Sequence, residues 1–160
     1  MAILPISIEA LGSQPMKIWY TYTAWNIGSP DQIFPINRSL YEVDMSTEKN
    51  IQLLGSDRNF QGLSPDHNLA GSISFQLDGD RSMQVVNLIS GATNNFPLKP
   101  ESDRGAGMIV FSENGEYAAW LEMSGSIFNE LPENHSFIRI GNISKSSVIS
   151  EISDEMVTEA

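Results

Sequence analysis

The sequence predicts an all-β protein built from about three repeated four-stranded antiparallel sheets. Three observations support this: one polar turn motif that recurs after 48 residues, a second turn motif that occurs three times, and a strand that is apolar on both faces. The composition agrees, because 41% hydrophobic and 18% charged residues are typical of a folded globular chain rather than a disordered one. The alternative fold that we consider is a β-sandwich.

The first turn motif is a strand end followed by Ser and a tight polar turn. It occurs as Ser64-Pro65-Asp66 and again as Ser112-Glu113-Asn114-Gly115, with Ser112 placed 48 residues after Ser64. Pro, Asp, Asn and Gly are the residues that tight turns favour. A period of about 45 to 50 residues with several short strands in each unit is typical of repeat architectures.

The second turn motif is an alternating strand that ends in Asp or Asn, at Asp44, Asn87 and Asn142. Each of these turns is followed by a short strand, predicted at 50–54, 94–98 and 147–152. Pro97 has no backbone N–H to donate, so its strand is predicted to lie at the outer edge of a sheet.

The segment 18–25 is apolar on both faces. Alternation places Ile18, Tyr20 and Tyr22 on one side and Trp19 and Trp25 on the other. A strand with this pattern is expected to lie in a sheet that is covered on both faces.

We divide the chain into a leading strand, three units and an acidic tail. Their ranges are, in this order, 1–13, 14–58, 59–102, 103–153 and 154–160. We predict no helix.

These motifs resemble the TolB-like and WD40-like β-propeller repeats. The resemblance rests on Ser64-Pro65-Asp66, on Phe111-Ser112-Glu113-Asn114-Gly115 and on Leu88-Ile89-Ser90-Gly91. It implies a partial propeller of about three antiparallel four-stranded blades, whereas propellers have about four to eight. Two sheet faces would then be open, and we expect a protein partner, additional blades or another copy in a homo-oligomer to cover them.

Charge and composition limit the other partners. Lys and Arg number 9 against 20 Asp and Glu, giving a net charge of −11 that repels nucleic acid and anionic membranes. No cysteine is present, and no apolar run is long enough for a membrane helix. The first nine residues lack the basic region of a signal peptide, which leaves the compartment open.

The candidate ligand-binding residues are Trp19, Tyr22 and Trp25, which could form an aromatic platform or belong to the core. The Asp78-Gly79-Asp80 run lacks the spaced ligands of a calcium loop, and His67 and His135 fall in different units. We therefore predict no metal site, no cofactor and no catalytic residue.

Three functions remain open. The first is a non-catalytic propeller segment that acts as a protein-interaction or ligand-binding module. The second is the propeller part of a larger peptidase that resembles prolyl oligopeptidase, with its catalytic triad outside these residues. The third is a small oligomeric sugar-binding lectin that would use Trp25.

Overall fold

The computed structural model describes residues 2–14, 16–29, 32–55, 58–74, 82–99, 105–123 and 136–153. Over these residues the chain forms three four-stranded antiparallel sheets and no helix, which confirms the predicted all-β fold. The strands are β1 Ala2–Gln14, β2 Lys17–Ser29, β3 Gln32–Asp44, β4 Lys49–Leu54, β5 Asn59–Leu63, β6 Leu69–Ser74, β7 Ser82–Asn87, β8 Thr93–Pro97, β9 Gly105–Phe111, β10 Tyr117–Met123, β11 Ser136–Asn142 and β12 Ser147–Ser153.

Strands that follow one another in the chain are neighbours within each sheet. The orders are β1-β2-β3-β4, β5-β6-β7-β8 and β9-β10-β11-β12. This meander differs from the Greek-key connections that join the two layers of a β-sandwich. The last strand of each sheet is an edge strand, and β8 contains Pro97, so the predicted edge position of Pro97 is confirmed.

The chain divides into two compact units, residues 1–60 and 61–160. The first unit contains the sheet β1–β4, so the segment that we set apart as a leading strand is paired along its length with β2. The buried apolar side chains of this sheet and Thr21 lie together on one face: Trp19 and Thr21 on β2, Leu40 on β3 and Leu54 on β4.

The second unit has a core between the sheets β5–β8 and β9–β12. Its buried side chains are Ile73, Met83, Val85, Phe96, Ile109, Ala118, Trp120 and Ile143. The rings of Phe96 and Trp120 meet with centroids 5.1 Å apart and planes tilted by 50°. Edge-tilted aromatic pairs of this kind stabilise a core beyond the area that they bury.

Two glycines of the second sheet receive Ile109 of the third. A Cβ added at Gly71 would lie 2.1 Å from Ile109 Cγ2, and one added at Gly62 would lie 2.4 Å from the Ile109 carbonyl oxygen. Only residues without a side chain permit this approach. The glycines therefore set how closely β9 lies against the second sheet.

The two Ser turns have the same hydrogen bonds. Ser64 Oγ accepts the Leu69 N–H at 2.9 Å and donates to Asp66 Oδ1 at 2.6 Å. In the third sheet, Ser112 Oγ accepts the Tyr117 N–H at 3.0 Å and donates to Asn114 Oδ1 at 2.8 Å. The first sheet has no such turn, since only residues 15 and 16 separate β1 from β2.

The second motif forms an Asx turn in each of the described sheets. The side-chain oxygens of Asp44, Asn87 and Asn142 accept backbone N–H groups two or three residues further on. The next residue, Met45, Leu88 or Ile143, donates its N–H to a carbonyl just before the second strand of its own sheet, that of Met16, Asn68 or Glu116. Because these contacts recur in all three sheets, they show which residues of one sheet are equivalent to which residues of another.

Candidate interaction surface

The third sheet has one face in the core and one exposed apolar face. On β10, Ala118, Trp120 and Glu122 are buried, while the alternating positions point to the other side. We call that side the open face; its residues are Met108, Val110, Ala119, Leu121, Ile138, Ile140 and Ile152. Alternation along β10 therefore separates a core face from an uncovered apolar one.

The open face is strongly exposed for an apolar surface. Met108 is 73% exposed, Val110 63% and Ile138 40%. These residues, with Ala119, Trp120 and Leu121, line a shallow depression of about 250 Å³. Contiguous exposed apolar patches are typical of surfaces that bind a partner.

The open face repeats the face of the second sheet that is already buried against the third. The 48-residue period places Ala119 where Gly71 stands and Leu121 where Ile73 stands, and the pairing with β11 places Ile138 where Met83 stands. The partner of Met83 on the edge strand is Phe96, and the partner of Ile138 is Ile152. The open face thus has the residue pattern of a face that packs on another sheet, but no sheet covers it among the described residues.

A group of charged residues lies at the other side of the third sheet, where it meets the second. Glu122 is fully buried; its Oε1 accepts hydrogen bonds from Trp120 Nε1 and Arg139 Nη1, both at 2.8 Å, and its Oε2 accepts the Lys99 N–H at 3.0 Å. Arg139 Nη1 also donates to the Pro97 carbonyl at 3.0 Å. The Glu122 carboxylate is therefore matched by donors on both oxygens, which gives it a structural role between two sheets.

The first sheet has an exposed face that includes a pair of stacked tyrosines. The rings of Tyr20 and Tyr41 lie 5.1 Å apart at 14°. Asn50 Nδ2 donates to the Tyr20 hydroxyl at 2.8 Å, and Gln52 Nε2 donates to the Tyr41 hydroxyl at 3.3 Å. We call this side the tyrosine face; its residues are Ile18, Tyr20, Tyr41, Val43, Asn50 and Gln52. Sequence analysis placed Tyr20 on this side but did not find its partner Tyr41.

The three sequence-predicted binding residues all lie on β2. Trp19 is only 4% exposed and faces the buried side of the sheet. The backbone of Tyr22 pairs with Ile8 and Ser39, and that of Trp25 pairs with Leu4 and Pro35; their side chains lie outside the described part of the molecule. A ligand site at Trp25, Tyr22 and Trp19 remains a prediction.

The turn at Ser64 brings together the residue types of a hydrolase triad without the geometry of one. Ser64 Oγ donates to Asp66 and not to an imidazole, and the hydrogen bond between His67 and Ser64 joins two backbone groups, N–H to C=O at 2.9 Å. A triad needs the serine to donate to the histidine. Hydrogen bonding from Ser64 lowers the pKa of Asp66 below its usual value, as an Asx turn does.

Metal ligands do not cluster within the ranges that the structure covers, where no group of three or more His, Asp or Glu residues is found. Asp78, Asp80 and His135, which sequence analysis also considered, fall outside those ranges. The described residues include no helix long and apolar enough to cross a bilayer.

The four-stranded meanders, the repeated turns and the packing of one sheet on the next are those of β-propeller blades, so the chain has the fold of a partial β-propeller. This confirms the fold that the TolB-like resemblance implied. No protein-family model matches the sequence, and no curated protein matches it.

Solved structures with this fold include peptidases and TolB. The chain is 10% identical to the β-propeller domain of the trilobed protease from Pyrococcus furiosus (TM-score 0.60, 95% of this chain and 43% of that one). It is 11% identical to Pyrococcus horikoshii acylaminoacyl peptidase (TM-score 0.58, 87% and 23%) and 14% identical to a putative TolB from Agrobacterium tumefaciens (TM-score 0.56, 92% and 50%). The chain thus spans half or less of each of these proteins.

Proposed function

We propose that the chain is a non-catalytic propeller segment that acts as a protein-interaction module, and that the open face of the third sheet is its contact surface. The observation that supports this is the exposure of Met108, Val110 and Ile138 on a face whose counterpart in the second sheet is buried. Fully burying one such side chain contributes about 1.5 to 3 kcal/mol. Burial of several of them in one contact would therefore favour binding.

The absence of cysteine allows a direct test by site-specific cross-linking. A Val110→Cys variant is labelled with a benzophenone maleimide, incubated with an extract of the cells that make the protein, and irradiated. We expect a discrete cross-linked product from position 110. The matched control is Ser146→Cys, at an exposed turn of the same unit. Equal cross-linking from both positions, or none from 110, would contradict the proposal.

A second candidate function is the propeller part of a larger peptidase. The similarity to an acylaminoacyl peptidase and to the propeller domain of a trilobed protease favours it. In that case the hydrolase residues lie outside this chain. The test is to label the native cells with a fluorophosphonate and to sequence the labelled proteins. A labelled serine hydrolase that contains peptides of this chain would support the peptidase, and labelled hydrolases without them would exclude it.

A further inference from the structure

The first and third sheets have complementary exposed faces. The repeat places Tyr20 where Trp120 stands, Ile18 where Ala118 stands and Tyr41 where Arg139 stands. The tyrosine face of the first sheet therefore corresponds to the side of the third sheet that packs on the second. The open face of the third sheet corresponds to the side of the second sheet that packs on the third.

We infer that the partner on the open face is a second copy of this chain, which contributes its tyrosine face. This inference rests on the proposed function and names its partner. The contact between the second and third sheets shows the packing that such a pair of faces makes within one chain. A second copy carries the required face, because the described part of the chain exposes one face of each kind.

One side-chain pair would lie at the centre of this contact. Within the second unit, Phe96 meets Trp120 with ring centroids 5.1 Å apart. Ile152 is the counterpart of Phe96, and Tyr20 is the counterpart of Trp120. Ile152 of one copy is therefore expected to pack against Tyr20 of the other.

The contact is heterologous, because different faces of the two copies meet. Each copy can therefore use its open face for one contact and its tyrosine face for another. The net charge of −11 on each copy opposes association through solvent. We therefore expect the pair to become tighter as salt screens this repulsion.

Sedimentation velocity of the wild-type chain and two variants tests the inference. Wild type should sediment as a dimer or a larger assembly at high concentration and dissociate on dilution. Ile152→Lys, on the open face, and Tyr20→Glu, on the tyrosine face, should each weaken association by about tenfold or more, because each buries an unpaired charge. The control is Ile89→Asp, which alters a turn residue that is 78% exposed and lies on neither face. Thermal unfolding shows whether each variant is folded.

Mixing the two weakened variants gives the decisive measurement. In the mixture, the open face of the Tyr20→Glu variant and the tyrosine face of the Ile152→Lys variant are both unaltered and can meet. The mixture should therefore form dimers at concentrations where each variant alone is monomeric. A wild-type chain that is monomeric throughout, or a mixture that stays monomeric, overturns the inference.

The cross-linking at position 110 separates this inference from the proposed function. Cross-links to the first sheet of another copy support both. Cross-links to a different protein retain the interaction module and exclude the second copy as its partner. Loss of association in Ile152→Lys with none in Tyr20→Glu would instead indicate that two open faces meet, and would also overturn the inference.

Discussion

His67 stands in the turn of the second sheet where Gly115 stands in the turn of the third. Both residues have left-handed backbone angles, φ 61° for His67 and φ 68° for Gly115. Both donate their N–H to the carbonyl of the turn serine, at 2.9 Å and 3.0 Å. The two turns thus have one geometry, although only one of them has the residue that adopts it freely.

This relationship predicts opposite effects of two substitutions. Left-handed geometry costs a non-glycine residue about 1 to 2 kcal/mol, and the greater freedom of unfolded glycine offsets about 0.5 to 1 kcal/mol. Gly115→Ala should lower the free energy of unfolding by about 1 kcal/mol, and His67→Gly should raise it by about 0.5 kcal/mol. A Cβ at Gly115 would meet only Leu69 Cδ1, at 3.5 Å, so the cost is that of the backbone. Urea unfolding measures both; an unchanged Gly115→Ala variant would contradict the prediction.

Gly62 and Gly71 lie against different parts of Ile109, so shortening the Ile109 side chain should restore the stability of only one of the two glycine variants. Gly71→Ala should lower the free energy of unfolding by about 1 to 3 kcal/mol, because its Cβ meets the Ile109 side chain. Ile109→Ala shortens that side chain. In a chain that already carries Ile109→Ala, the further change Gly71→Ala should therefore be nearly neutral. Gly62→Ala is the matched control, since its Cβ meets the Ile109 carbonyl, which no substitution removes. Equal rescue of both glycine variants would show that this packing is wrong.

The buried pair of Glu122 and Arg139 predicts strong coupling. Removing one partner leaves the other charge buried without its counter-ion, which costs about 3 to 5 kcal/mol. Glu122→Met and Arg139→Met should therefore each destabilise the chain strongly, and the double variant should lose less than the sum by at least about 1 kcal/mol. Chemical unfolding of the four proteins gives the coupling energy. Additive losses would indicate that the two residues act independently.

We expect Asp66 to contribute to the loss of folding stability at low pH. The hydrogen bond from Ser64 is the main reason that the pKa of Asp66 lies below its ordinary value in the folded chain. In the unfolded chain that pKa is about 3.9, so the ionised carboxylate stabilises the fold above this pH, and the contribution is lost as the pH falls below it. Asp66→Asn keeps a turn of the kind that Asn114 forms, without the titration. The stability advantage of wild type over Asp66→Asn should shrink from about pH 5 to about pH 2 in thermal unfolding, and a constant difference would exclude this role.

The sequence was sufficient for the features that depend on neighbouring residues. The turns at Ser64 and Ser112, and the Asx turns at Asp44, Asn87 and Asn142, were found because each is closed by hydrogen bonds within five residues. Pro97 located an edge strand for the same reason, since its missing N–H is a local property. The first sheet lacks the Ser turn that marks the other two, so its sequence contains one local signal fewer.

The sequence was insufficient for features that depend on pairing between strands. Glu122 resembles a surface acid in sequence, and its burial depends on Arg139, 17 residues away, and on the backbone of Lys99. Its position two residues after the buried Trp120, on the same side of β10, was a signal that could have identified it. Likewise, Tyr41 is brought to Tyr20 only by the register of β2 and β3.

The glycines that receive Ile109 also determine which surfaces can stack. The open face has Val110 and Ala119 in the places of Gly62 and Gly71, so the Ile109 ridge of another third sheet does not fit there at the same depth. Third sheets of different copies therefore cannot stack on one another in the way that the third sheet packs on the second. The side chains of Val110 and Ala119, which glycines replace in the second sheet, thus oppose the end-to-end growth of a fibre from third sheets.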